Sequence, residues 1–379
     1  MNFSYDEEET LLADTVTRWA DKEYAAQANG DAKAIALRRW ATLSELGLAG
    51  LHVPAELGGL ARPATDAFIV MQAIGRRCLD QPFISNSLVS ATLLARTAGE
   101  PVRDRYLGEL IGGSRTFALA MVEDEPSFRF DQPRTRCVDG RLYGGKSAVI
   151  DADLAKTLIV TVAGERPGQI RLALVDTDAP GVRLSMLPTI DGRRAAEVTF
   201  DGTEVRVDHW LESRGPDAPA ELLDEALDRG RAAHCAEASG LMNRLFDLTV
   251  EHLKSRTQFG QPLGKFQALQ HRAVEMLVLA EQVHSMALRA AAGIDGDSPI
   301  ERRSAVSAAK ALIGQHGRQM GEWAVQLFGG MGVTEELEAS RCFKRLLAID
   351  LTWGNAGYHA DRYAASSAHV GTFSLEAIA

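Results

Sequence analysis

The sequence predicts a mainly α protein with a central β domain. Three observations carry that prediction. Helical periodicity dominates before about residue 115, short β-rich runs punctuated by turn residues fill the next hundred positions, and long helices with short connections occupy the rest. The expected division is an N-terminal α-helical domain over residues 1–115, a middle β domain of barrel or sandwich type over 116–215, and a C-terminal four-helix bundle over 216–379.

Bulk properties narrow the function classes. A chain of 379 residues has volume for two or three domains. Hydrophobic residues at 46% and charged residues at 24% are ordinary for a globular protein, so neither disorder nor a fibrous repeat is indicated. A formal net charge of −10 supplies no global basic field, and no nucleic-acid partner is expected. The four cysteines, Cys78, Cys137, Cys235 and Cys342, lie far apart in sequence. They form neither a paired metal spacing nor a disulfide framework, which fits a reducing, cytoplasmic location. No apolar run approaches the ~18–20 residues of a membrane span, so no membrane insertion is expected. The start, with Asp6-Glu7-Glu8-Glu9, is unlike a basic-then-apolar signal.

In chain order, Asp6 to Tyr24 reads as a helix whose acidic first turn suits the helix dipole. Asp31 to Leu46, Thr65 to Cys78, Phe83 to Thr97 and Pro101 to Ile111 are further helices, the last stopped by Gly112-Gly113. Strand candidates are Thr116 to Val122, Leu142 to Ile150, Thr157 to Ala163, Ile170 to Val175, Val182 to Leu187 and Glu197 to Val207, with Asp139-Gly140, Asp176 to Gly181 and Asp191-Gly192 between them. Ser213 to Pro219 is the linker out. Glu221 to Ser255, Pro262 to Ile294, Pro299 to Leu327 and Glu335 to Ala348 are the bundle helices, the last with a continuation past Gly354 in view.

Two segments are more specific than their periodicity. Between the first two bundle helices the chain reads Arg256-Thr257-Gln258-Phe259-Gly260-Gln261-Pro262, then Phe266-Gln267. Gly260 and Pro262 break the helix, and Phe266, Leu269, Ala273, Met276, Ala280 and Val283 form one apolar stripe. At the end of the third helix stands Gln326-Leu327-Phe328-Gly329-Gly330-Met331-Gly332. Glycines admit a close backbone approach to a nucleotide, and a glutamine both donates and accepts.

Together these runs resemble the acyl-CoA dehydrogenase family, and the α–β–α order makes the resemblance span essentially the whole chain. Leu46-Gly47-Leu48-Ala49-Gly50-Leu51, with Pro54 and Gly58-Gly59, resembles its N-terminal domain. Phe266 to Ala273, Phe343 to Leu346 and Asp191 to Val198 are similar to the small subunit of pimeloyl-CoA dehydrogenase-type enzymes, which pair two unlike subunits. The resemblance implies an acyl-CoA dehydrogenase-like fold and FAD as cofactor. It places Arg256, Phe259, Gln267, Gln326, Gly329 and Gly330 at the cofactor, Arg256 on the pyrophosphate and the glycine run at the adenine end of a FAD held mainly by the neighbouring subunit. It also implies an acyl-CoA substrate from fatty acid or dicarboxylic acid degradation. The assembly implied is a tetramer-like homo- or hetero-oligomer, in the second case with a large subunit, and the implied electron acceptor is an electron-transfer flavoprotein.

The reacting end departs from the family. Its glutamate base usually sits in a Tyr-Glu-Gly-Thr run after the glycine loop, and that place holds Trp353. Other members carry the base in the first bundle helix just before an arginine, where Gly230 precedes Arg231. Neither an indole nor a glycine accepts a proton. Thr-Glu-Pro-x-x-Gly-Ser-Asp becomes Asp124-Glu125-Pro126-Ser127-Phe128-Arg129-Phe130-Asp131, and Trp-Ile-Thr-Asn becomes Ala148-Val149-Ile150-Asp151, removing hydroxyl and aromatic contacts to the flavin. Asp124, Glu125, Asp228 and Asp350 lie near the relevant segments, though a surface or capping role is the default for each. His234 and His316 lie within helices. No metal-ligand spacing, Gly-x-Ser-x-Gly run or Walker loop is present. Two readings stand: a flavoenzyme with an atypical base, or a subunit that completes the FAD site of a partner supplying the glutamate.

Overall fold

In the computed structural model, residues 5–26, 30–96, 100–123, 128, 130, 132–166, 168–211, 218–334 and 336–367 are described. Contacts group the chain into two compact units. One comprises Met1–Asp21, Ala64–Cys78 and Arg231–Ala379, the other Lys22–Pro63 and Leu79–Gly230. Helix α1 (Glu7–Ala25) and helix α6 (Ala218–Ser255) are divided between the two.

The second unit holds the two four-stranded sheets. Helix α2 (Ala32–Glu45) starts at Asp31, whose carboxylate accepts from the Lys33 and Ala34 amides, the usual N-cap device. The helix predicted over Phe83 to Thr97 is not uniform. Ile84–Ser90 form widened π turns and only Ala91–Ala95 (α4) are α-helical. Asn86 accounts for the irregularity: its Nδ2 donates to the Pro82 carbonyl at 2.9 Å and its Oδ1 accepts from the Phe117 amide at 2.6 Å, a long-range tie that propensity does not encode. Thr97 lies outside the described residues. Helix α5 (Glu100–Ile111) leads into the strands.

Two four-stranded sheets share one core. The first has the order β1 (Phe117–Ala120), β4 (Thr157–Ala163), β5 (Ile170–Asp176) and β8 (Trp210–Leu211). The second has β2 (Arg136–Val138), β3 (Arg141–Ile150), β7 (Arg194–Glu204) and β6 (Val182–Pro188). Only β1 and β4 pair in parallel; the other ladders of these sheets are antiparallel. Ala118, Leu158, Val160 and Val175 from one sheet pack with Leu142, Val149, Val198 and Phe200 from the other, the arrangement of a sandwich. Strand β4 is buried on both faces and is apolar apart from the buried Thr157 and Thr161. Strands β2 and β8 escape prediction because they are two or three residues long.

The first unit is helical. Helix α8 (Pro299–Phe328) packs against α7 (Gln267–Ile294), α9 (Glu338–Leu351) and α10 (Ala356–Ser367). The apolar stripe expected on α7 is buried from Met276 through Ala280 and Val283 to Ile294, while its first turn is more open. The predicted continuation past Gly354 is a separate helix, α10, because Thr352, Trp353 and Gly354 turn the chain. Glu335 lies outside the described residues. Helix α3 (Ala64–Arg76) reaches α6 through two glycine contacts. A Cβ at Gly75 would sit 2.1 Å from the Glu237 carbonyl oxygen, and one at Gly240 would sit 2.1 Å from that of Gln72. Among the described residues no helix is long and apolar enough to cross a membrane.

The glycine contacts yield a paired prediction. Gly240→Ala should lower unfolding stability by about 2 kcal/mol, since backbone rather than a flexible side chain occupies the space. Gly108→Ala, whose Cβ meets nothing within 4 Å on α5, should raise stability by about 0.5–1 kcal/mol through helix propensity. Urea denaturation of both variants decides; equal effects would remove the packing explanation.

Candidate functional site

The corner between α6 and α7 is built by backbone pairing. After Ser255, the Arg256 amide still donates to the His252 carbonyl at 2.8 Å, and the Arg256 carbonyl accepts from the Leu263 amide at 2.9 Å. Thr257–Gln258 (β9) then pairs antiparallel with Gln261–Pro262 (β10). The two residues between have φ of 53° at Phe259 and 79° at Gly260, the sign pattern of a type I′ turn. Glycine suits its position; a phenylalanine at positive φ is a steric outlier of the kind that gathers at functional sites. Phe259 is also 89% exposed, with only an edge-on contact to Phe266 at 6.1 Å between centroids. Gln267 is exposed at the first turn of α7. The exposed Arg256 guanidinium pairs with no described residue.

The second motif ends α8. Gly329 caps the helix with φ 65° and ψ −143°, a region open essentially to glycine alone. Added Cβ atoms at Gly329 and Gly330 would meet nothing within 4 Å, whereas one at Gly332 would strike the Val325 carbonyl at 2.6 Å. The loop is thus open outward and tight inward, and Gln326 is exposed beside it. The His252 ring lies 4.4 Å from that of Phe328 at an interplanar angle of 33°, so the end of α6 touches the end of α8 within one chain. Burial, then the Arg256 charge, pushes the His252 pKa down. An unpaired guanidinium, free amide side chains, an exposed ring and an outward-open glycine loop fit the phosphates and planar rings of a dinucleotide.

A different chemistry surrounds Trp353. Its φ is 56°, and its carbonyl accepts from Arg231 Nε at 3.1 Å. Gly354 comes next with φ 117°, where a Cβ would meet Tyr358 at 2.4 Å and His359 Nε2 at 2.7 Å. The Trp353 indole lies 5.4 Å from the His234 ring. His234 Nδ1 is 3.3 Å from Glu237 Oε2, and Arg345 grips both oxygens of Glu237 at 2.7 Å. Burial lowers the His234 pKa to about 4, and it stays neutral at pH 7. Buried Lys310 donates to the carbonyls of Ile349 at 2.5 Å and Thr352 at 3.1 Å, placing a cation at the C-terminus of α9. Burial brings its pKa down to about 8.

The candidate carboxylates separate. Asp350 Oδ1 accepts from the Ala356 amide at 2.9 Å and so caps the start of α10. Asp228 is fully buried on α6. Asp124 and Glu125 lie outside the described residues. Their neighbour Glu123 accepts from Lys146 Nζ at 2.7 Å and from two amides; burial would raise its pKa, but these bonds outweigh it and hold the value down to about 2. Asp151 accepts from the Ser85 hydroxyl, and burial followed by the nearby Asp80 charge pushes it up to about 7. His316 Nδ1 lies 3.1 Å from the Leu312 carbonyl, a helix-internal contact. Sequence reasoning missed Glu237, Lys310 and Arg345. Lys310 could have been found, because it falls on the buried stripe of α8 between Ala309 and Ile313. Among the described residues no group of three His, Cys, Asp or Glu side chains could hold a metal ion.

Comparison with known proteins decides the family. The model for "Acyl-CoA dehydrogenase, N-terminal domain" matches residues 6–114, and that for "Acyl-CoA dehydrogenase, C-terminal domain" matches residues 220–367. The chain belongs to the acyl-CoA dehydrogenase family. An L-prolyl-[peptidyl-carrier protein] dehydrogenase of Pseudomonas fluorescens is 29% identical over 88% of this chain and 91% of its own. The solved FAD complex of PigA has a TM-score of 0.86 at 21% identity, covering 98% of this chain and 100% of that one. The ChsE4-ChsE5 complex from Mycobacterium tuberculosis gives 0.85 at 18%, covering 98% and 100%. At such identities these two structures speak for the fold.

The buried imidazoles generate a pH prediction. His52 and His234 both have folded values of about 4, in each case through burial first, against an ordinary 6.5. Between those values the unfolded chain binds more protons than the folded one. Stability is therefore complete above pH 6.5 and lost as pH falls toward 4, by on the order of 3 kcal/mol per histidine. Urea titrations at pH 7, 6, 5 and 4.5 should show the decline, and His52→Gln should make it shallower by one proton. A flat profile over this window contradicts the burial of these rings.

Proposed function

We propose that this FAD-dependent acyl-CoA dehydrogenase family member engages the cofactor through Arg256, Phe259, Gln267, Gln326, Gly329 and Gly330, and works as the small subunit of a heteromeric enzyme. The observation that carries the cofactor reading is the unpaired Arg256 guanidinium beside an exposed aromatic turn and an outward-open glycine loop, joined by the His252–Phe328 contact. FAD supplies the hydride acceptor for α,β-dehydrogenation of an acyl thioester. Arg256 meets the pyrophosphate, and Gln326 with the glycines meets the adenine end, of a FAD centred on a neighbouring subunit. The three-part division at residues 115 and 215 is proposed as the order in which the chain supplies helices, strands and helices. A cytoplasmic location and an electron-transfer flavoprotein as acceptor belong to the same reading.

The heteromeric reading rests on Gly230 and Trp353 standing where the family keeps its glutamate. Arg231 Nε on the Trp353 carbonyl supports that register, since it ties the residue after one base position to the backbone of the other. An indole there takes up the room the acyl chain needs and accepts no proton. That the ChsE4-ChsE5 neighbour is a complex of two named chains agrees with such an assembly. A second reading comes from one observation: His234, neutral and held by Glu237, lies against Trp353 and could serve as an atypical base in a homo-oligomer.

Two experiments separate these readings. Arg256→Ala should lower flavin content more than tenfold, because a charge-assisted phosphate contact contributes about 1.5–3 kcal/mol; unchanged flavin absorbance sinks the cofactor assignment. The purified chain should turn over short, medium, dicarboxylic and steroid-type acyl-CoAs at least about 10²-fold slower than a mixed oligomer with a glutamate-bearing homologue, the usual weight of a positioned base. Robust turnover by the chain alone that is lost in His234→Gln would transfer the assignment to the second reading. Activity only on a carrier-protein thioester would keep the chemistry and change the substrate class.

A further inference from the structure

His252 stands between the two cofactor motifs. It lies in the last turn of α6, and the Arg256 amide donates to its carbonyl at 2.8 Å. Its ring lies 4.4 Å from that of Phe328, the residue before Gly329-Gly330. The side chain is half-buried, and among the described residues no hydrogen bond engages the ring nitrogens. One imidazole thus touches the glycine loop's helix on one side and follows the helical turn to Arg256 on the other.

Residues four apart on a helix are neighbours, so the Arg256 guanidinium and the His252 imidazole share one side of the helix end. Burial, and then that guanidinium, hold the imidazole below its ordinary range. Phe328, the contact from α8, is neutral, and the adjacent charges on α6, Glu251 and Lys254, oppose one another in sign. Two features favour a cation at this place. Helix carbonyls point outward at a C-terminus, and the Phe328 ring lies close enough to offer its face to an imidazolium.

Resting on the cofactor reading above, we infer that His252 takes up a proton when FAD binds and becomes a second cation for the diphosphate, so that flavin affinity is coupled to pH through this residue. The diphosphate carries two negative charges. Paired with Arg256, it cancels the repulsion that the guanidinium exerts on the imidazole and leaves negative potential beside the ring. A proton then moves from solvent to the free ring nitrogen, and no internal hydrogen bond of the ring is broken. By reciprocity, the factor by which FAD strengthens proton binding is the factor by which the proton strengthens FAD binding. The bound form holds its proton to higher pH than the free form. Affinity therefore rises as pH falls through the bound-state pKa and levels off below the free-state one.

The test measures FAD binding to the full-length chain in its purified oligomer, by calorimetry between pH 6 and 8 in buffers of different ionisation enthalpy. The diphosphate bridge keeps its charge over this range. Expected are net proton uptake on binding near pH 6.5 and about three- to tenfold tighter binding at pH 6 than at pH 8. His252→Phe keeps an aromatic ring against Phe328 and should lose both the uptake and the pH slope. His252→Gln, a smaller neutral side chain, should lose them too, which covers the case in which the phenyl ring disturbs the corner. All three proteins keep His52 and His234, so any slope from those buried rings is common to them. No FAD binding by the parent at any pH would sink the cofactor reading and the inference with it. FAD binding without proton uptake, or with a pH slope that survives in both His252 variants, overturns the inference alone and leaves the cofactor reading standing.

Discussion

Glu237 is the residue on which the helical unit turns. Its backbone carbonyl is the surface against which Gly75 of α3 packs, and its carboxylate is gripped on both oxygens by Arg345 of α9. The same carboxylate faces His234, which in turn lies against Trp353. Three helices and the turn after α9 therefore register on one residue, α3 on its carbonyl and the others through its carboxylate. An ion pair this deeply buried adds little over a well-packed apolar cluster, because desolvation offsets the Coulomb attraction. Its weight shows when it is broken: removing one partner strands a charge and costs about 3–5 kcal/mol. The pair thus acts as a specificity device for how α3, α6 and α9 meet, and the neutral state of His234 has its origin in the same dry environment.

Much of this architecture is legible in the amino-acid order, and the exceptions share a cause. The runs Thr157 to Ala163 and Ile170 to Val175 announce themselves by apolar residues interrupted only by Thr157, Thr161 and Arg171, and the α7 stripe by its spacing of three and four. These are local signals. The widened turns at Ile84–Ser90 depend on Asn86 reaching Phe117, thirty-one positions along the chain. The parallel pairing of β1 with β4 is invisible to a reading that sees strands but not partners. The hairpin at the α6–α7 corner shows in the sequence only as a break; its turn uses Phe259-Gly260, whereas composition would favour an asparagine at the first position. The residues around Trp353 are legible only as isolated letters. Glu237, Lys310 and Arg345 come from three helices, and nothing local says that they converge.

The two ends of the proposed cofactor surface differ in kind. At the corner, Arg256, Gln267, Gln326 and the glycines are exposed and, among the described residues, their side chains are unengaged. Unengaged donors on rigid helix ends are poised for a ligand, since no internal bond must be broken to bind it. Around Trp353 the polar groups are engaged with one another. Arg231 serves a carbonyl, Lys310 serves the end of α9, Asp350 serves the start of α10, and Arg345 serves Glu237. A site that has spent its charges on its own backbone has few left to stabilise a developing enolate.

On the proposed reading, in which position 353 stands where the family keeps its base, the fold does not depend on that side chain. In the turn between α9 and α10, positive φ at Trp353 and Gly354 sets the backbone path, and Lys310, Arg231 and Asp350 hold it through carbonyl and amide groups. None of these contacts uses the side chain at position 353. The turn can therefore carry a carboxylate or an indole with the same supports, and the choice between them is left to chemistry rather than to folding. An indole gains apolar contact with His234 and forfeits proton transfer. The proposed nucleotide corner is made of different residues on different helix ends, so an exchange at position 353 leaves it untouched.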